Sequence, residues 1–112
     1  MVTYFQDTLF FNAEQLSAPG TTPAVAVYEN NYFSTDSYCL IVTLANRNTH
    51  INVALEGSID GTNYGPLISQ QINQNGTTAY HVTGAPVKYL RANFVSESGG
   101  TDALVTFSFS AR

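Results

Sequence analysis

Apolar and polar side chains alternate along much of this chain. In HINVALE, from His50 to Glu56, Ile51, Val53 and Leu55 share one face while Asn52, Ala54 and Glu56 share the other. VKYLRANF sets Leu90, Ala92 and Phe94 against Tyr89, Arg91 and Asn93, and ALVTFSFS sets Val105, Phe107 and Phe109 against Leu104, Thr106 and Ser108. A period of two with one apolar face predicts strands that cover a core on one side and meet water on the other. YCLIVTLA breaks the pattern. Tyr38, Leu40, Val42 and Leu44 oppose Cys39, Ile41 and Ala45, and both sets are apolar. It predicts a central strand, covered on both sides or paired with a neighbouring subunit, with Cys39 a buried, inert thiol.

The predicted strands run approximately over Thr3–Phe11, Ala24–Glu29, Tyr38–Asn46, His50–Glu56, Leu67–Ile72, Thr77–Val82, Val87–Phe94 and Ala103–Ser110. Their connections, such as NRNT, GSIDGTNYGP, NQNG and SESGGTD, are rich in the residues that turns require: Gly for positive φ, Asn and Asp for side-chain-capped turns, Pro for a fixed φ. Helical spacing is confined to Asn12–Ala18, where one turn of helix would end at Pro19-Gly20. Short strands at even spacing predict an all-β fold, an antiparallel, jelly-roll-like β-sandwich of about eight strands. At 112 residues the chain reads as one domain, 1–112, with residues 1–12 as an N-terminal arm or an edge strand.

Composition narrows the function classes. Only 11% of residues are charged, and Thr, Asn, Ser and Gln, roughly a third of the chain, stand in their place. With 44% hydrophobic residues and seven each of Tyr and Phe, this is a folding sequence. A surface so poor in charge suits packed assemblies or extracellular structures better than free cytosolic enzymes. The net charge is −4, and Arg47, Lys88, Arg91 and Arg112 are scattered, so no direct nucleic-acid partner is expected. No apolar run is long enough to span a bilayer, and no membrane partner is expected. MVTYFQDTLFF lacks the basic start of a secretory signal, and Gln6, Asp7 and Thr8 interrupt its apolar run. Either the chain stays where it was made or a signal was removed before this numbering begins, and Met1 favours the first, so the expectation is a cytoplasmic product without a signal peptide.

Candidate chemistry is sparse. LEGSIDGTNYGPL gathers Glu56, Asp60 and two glycines between strands. Asp60-Gly61 is a strong tight-turn signal, because Gly adopts positive φ without cost. Ser58, Asp60 and Asn63 form too thin an oxygen set for a calcium loop, so Asp60 and Gly61 read as a structural turn. His50, His81 and Cys39 lack metal-ligand spacing. Gly99-Gly100 precedes no helix that would bind phosphate. Arg91 can pair across strands with Glu56 or Asp102. No catalytic residue, metal or cofactor is expected, and the chain does not read as an enzyme.

The segment LEGSIDGTNYGPL, followed by NGTTAYHVTGAPVKYLRANF, resembles the strand, GSxDGxxY/W hairpin, NG turn and PVKYLR strand of small β-sandwich structural proteins in tailed-phage virions. More loosely it is similar to discoidin-like jelly rolls. From those it departs in its length, in Tyr64 where Trp is usual, and in lacking a cysteine pair. The phage resemblance implies a virion structural protein, a capsid decoration (cement) protein that stabilises the phage head. It would sit on the capsid exterior as a homo-oligomer, trimer or dimer, against the major capsid protein or another virion protein. Two alternatives stay open: a glycan-binding β-sandwich module on a fibre or cell surface, and a small tail or baseplate component. The aromatics in excess of a small core, Tyr4, Phe5, Phe10, Phe11, Tyr28, Tyr32, Phe33 and Tyr38, are the candidate protein-contact residues. For Tyr28 to Tyr38 a loop folded back on its own sandwich stays open beside a protein contact, and a glycan site would instead present coplanar exposed rings.

Overall fold

A computed structural model of the chain describes residues 9–28 and 35–112, with the backbone alone for 9–14. The alternating segments form strands in two antiparallel sheets, and no helix occurs among the described residues. The strands are β1 (Leu9–Leu16), β2 (Gly20–Thr21), β3 (Val25–Ala26), β4 (Tyr38–Ala45), β5 (His50–Ser58), β6 (Gly65–Ile72), β7 (Gly76–Val82), β8 (Tyr89–Ser98) and β9 (Leu104–Ala111). One sheet has the order β1-β9-β4-β7. The other runs β2-β8-β5-β6, with β3 also on the β8 edge. The core lies between them, and the predicted inward residues fill it. Leu40, Val42, Val105 and Phe107 come from the first sheet and Ile51, Val53, Leu55, Leu90 and Phe94 from the second, all buried. This is the predicted all-β sandwich.

Several expectations are corrected. Asn12–Leu16 continues β1 rather than turning into helix. β1 pairs with β9 up to Leu16↔Val105, with a bulge between Phe11 and Glu14. One turn of helix has little stability of its own, whereas β9 offers a row of backbone partners that only a strand can use. Residues 3–8 of the first expected strand, and Glu29 at the end of the second, lie outside the described residues. Gly20–Thr21, read as loop, lies on β8, where Thr22 extends the contact. Its N–H donates to the Ala92 carbonyl at 2.9 Å and its hydroxyl accepts from the Ala92 N–H at 3.0 Å.

β4 is central, as its sequence predicts, but it is not covered on both sides within this chain. Tyr38, Leu40, Val42 and Leu44 are buried, while Ile41 and Ala45 on the outer face are exposed. Cys39 lies on that same outer face and is only half-buried. Within this chain, then, the apolar run on both faces marks a strand with neighbours on both edges, β7 and β9.

Candidate functional site

The β5–β6 connection is built on two short polar side chains. Ser58 Oγ accepts from the Gly61 N–H at 2.9 Å and donates to Asp60 Oδ1 at 2.9 Å. Asp60 Oδ1 also accepts from the N–H groups of Thr62 and Asn63, each at 2.8 Å, and Oδ2 accepts from the Asn63 side-chain amide at 2.7 Å. Bonds to the Asn63 and Thr62 backbone, then to the Asn63 and Ser58 side chains, hold the Asp60 carboxyl well below the usual carboxylate range. Gly61 takes φ +80°, and a Cβ there would lie 3.3 Å from the Tyr89 ring. Glycine thus supplies both the left-handed backbone and the close approach to an aromatic face.

Beneath this turn, on the outer face of the second sheet, the register sets Glu56 opposite Arg91. Arg91 Nε donates to Glu56 Oε1 at 2.7 Å, and the Asn93 amide donates to Glu56 Oε2 at 3.0 Å. Of the two partners proposed for Arg91, Glu56 is the one found. The guanidinium lies over the Tyr64 ring, 3.9 Å from its centre. Alongside, Tyr28 and Tyr89 meet edge to face with centroids 5.5 Å apart and their hydroxyls 3.3 Å apart. That hydrogen bond to Tyr28 pushes the Tyr89 phenol up from its ordinary pKa. Lys88 Nζ sits 5.2 Å from the centre of the Tyr28 ring. One end of the sheet thus gathers Tyr28, Tyr64 and Tyr89 with Lys88, Arg91 and Glu56.

The cluster offers hydroxyls, ring edges and a carboxylate already engaged by Arg91 and Asn93. It suits contact with a polar partner better than proton transfer. Its rings are not coplanar, since Tyr28 and Tyr89 stand at 73°, and Arg91 covers one face of Tyr64. The other titratable candidates lie elsewhere. Cys39 and His81 face each other across β4 and β7, and His50 opens β5 opposite Ser98. Among the described residues no three His, Cys, Asp or Glu side chains converge as metal ligands would.

Of the expected contact residues, Tyr28 belongs to this cluster. Tyr38 does not, and it is a correction. It is 2% exposed, its hydroxyl donates to the Thr35 carbonyl at 3.2 Å and accepts from the Val87 N–H at 3.1 Å, and it anchors the core. Phe10 and Phe11 lie in β1, whose described part there is backbone. Tyr4, Phe5, Tyr32 and Phe33 lie outside the described residues. Sequence reasoning did not group Tyr64 and Tyr89 with Arg91. The available signal was the outward position of Tyr89 and Arg91 in VKYLRANF, on the strand paired with Glu56.

No family model matches the chain, and no curated protein matches it in sequence. Solved structures do match in fold. The SPBc2 prophage-derived protein YomS superposes with a TM-score of 0.55 at 10% identity, over 94% of this chain and 91% of that one. The PBSX exported protein XepA superposes with a TM-score of 0.60 at 9% identity, over 94% of this chain but 37% of its own length. At such identities the likeness is one of fold, and the β-sandwich read from the alternation and turn residues is shared with a prophage-derived protein over nearly the whole of both chains.

Proposed function

We propose that this chain is a non-enzymatic structural protein of a tailed-phage virion, and specifically a decoration (cement) protein. It would lie on the capsid exterior, bind the major capsid protein and stabilise the head as a homo-oligomer, dimer or trimer. The observation that carries the reading is the fold shared with prophage-derived YomS over 94% of this chain and 91% of that one. The sequence resemblance to small virion β-sandwiches and the low charge content support it. So does the state of the polar side chains at the Tyr28–Arg91 cluster, which are committed to one another rather than to a reacting group. The test is co-sedimentation of the purified protein with capsids from which it has been stripped. Saturable binding and a raised capsid melting temperature are expected. Absence of binding to capsids together with binding to tails would move the protein to the tail or baseplate.

A second reading, a glycan-binding module, draws on the three tyrosines beside Arg91, Glu56 and Asn93. Sugar rings stack on exposed aromatic faces, and here the two closest rings are steeply inclined. Binding to a panel of host surface glycans, lost on Tyr89→Ala and Tyr64→Ala, would favour it over the cement role.

A further inference from the structure

β7, β4 and β9 lie side by side, and their registers put the outward side chains in rows. Thr77, Thr43 and Thr106 form one row, and His81 and Cys39 begin another, with Ile41 between them. These three strands, of 7, 8 and 8 residues, contain no Asp, Glu, Lys or Arg. The outer face of the other sheet, by contrast, carries the Glu56–Arg91 ion pair. The charge-free face also holds Ile41, 38% exposed, and the half-buried Cys39.

We propose that this face is a homodimer interface, on which a second copy of this chain packs sheet to sheet across a two-fold axis. The inference deepens the homo-oligomer part of the proposed function and is independent of capsid binding. Three physical arguments select a second copy as the occupant. Each copy carries a net charge of −4, so two copies approach most cheaply through a face without charge, where neither repulsion nor ion desolvation opposes contact. The face is rich in hydroxyls, with Thr43 Oγ1 and Thr77 Oγ1 already 2.9 Å apart. A hydroxyl both donates and accepts, so a hydroxyl row complements its own two-fold copy. Finally, the three strands at ~3.3 Å per residue and ~4.8 Å spacing make a face of about 25 by 14 Å. That is on the order of 350 Å² in plan, more with side-chain relief, which against the ~800 Å² per partner of a standard interface fits a concentration-dependent dimer rather than a permanent one.

The experiment is sedimentation velocity on the full chain over a wide concentration range, for the wild type, Thr43→Lys and Ser69→Lys. Thr43 lies on the proposed face, whereas Ser69 is exposed on β6 of the other sheet. Thermal melts confirm that both variants fold. A wild-type dimer is expected, weakened at least about tenfold by Thr43→Lys, which sets like charges against each other, and left unchanged by Ser69→Lys. Maleimide labelling of Cys39 gives a second readout without mutation of the face and should slow as protein concentration rises. A wild type that stays monomeric overturns the proposal. So does an oligomer insensitive to Thr43→Lys whose Cys39 labelling ignores concentration. A monomer that still binds stripped capsids would remove this interface and leave the virion reading standing, while a dimer that binds no capsid would do the reverse.

Discussion

Asp60 accepts four hydrogen bonds in the β5–β6 turn, two of them from backbone N–H groups. These bonds favour the ionised form, so its folded pKa lies below the ordinary value of about 3.9. Their contribution to stability is present above that value and is lost only as pH falls through the lower, folded one. A carbon-13 titration of the Asp60 carboxyl should therefore show a depressed midpoint, and a midpoint at or above the ordinary value would contradict the geometry. Calcium should leave the melting temperature unchanged, because the same oxygens are already occupied. The role of Asp60-Gly61 was legible because turn chemistry is local. Tyr38 was misread as contact surface for the opposite reason. Its hydroxyl is satisfied by Thr35 and by Val87, the latter distant in sequence, and no local pattern announces such partners. Tyr38→Phe leaves the buried Val87 N–H without its acceptor and should destabilise the fold by about 1–2 kcal/mol in chemical denaturation. An unchanged midpoint would show the bond to be dispensable.

At the scale of elements, strands with a clean period of two were readable and those without it were not. β5, β8 and β9 advertise one buried face, and the burial follows it residue by residue along β9. β1 does not, because an edge strand with a bulge is held by its neighbour's backbone rather than by its own side-chain pattern. The outer face of β4 looked like core in composition alone. Cys39 there should accordingly react with a thiol reagent in the native state, against the inert thiol expected from the sequence. Protection equal to that of a core residue, at protein concentrations where the chain is monomeric, would restore that expectation. The Tyr28–Arg91 cluster required the β5–β8 register, which pairs Glu56 with Arg91 across 35 positions of chain. Because the pair is partly exposed, a double-mutant cycle on Glu56→Gln and Arg91→Gln should give a modest coupling of about 0.5–1 kcal/mol that shrinks at high salt. A salt-independent or absent coupling would mean that Tyr64 stacking alone holds the guanidinium.

For the whole molecule, a sandwich with an ion pair on one outer face and three strands free of charged residues, β7, β4 and β9, in the other sheet has two surfaces of different character. In the proposed function the first, with its tyrosines, meets the capsid shell, and in the proposed dimer the second meets a copy of the chain. The likeness to YomS, over 94% of this chain and 91% of that one, is one of fold. The most direct measurement is electron cryomicroscopy of the purified native tailed particle encoded with this chain, supported by mass spectrometry of its proteins. The account predicts stoichiometric copies in the particle, as ordered density on the outside of the head, packed against the major capsid protein. Particles that are complete and stable without the chain would contradict it.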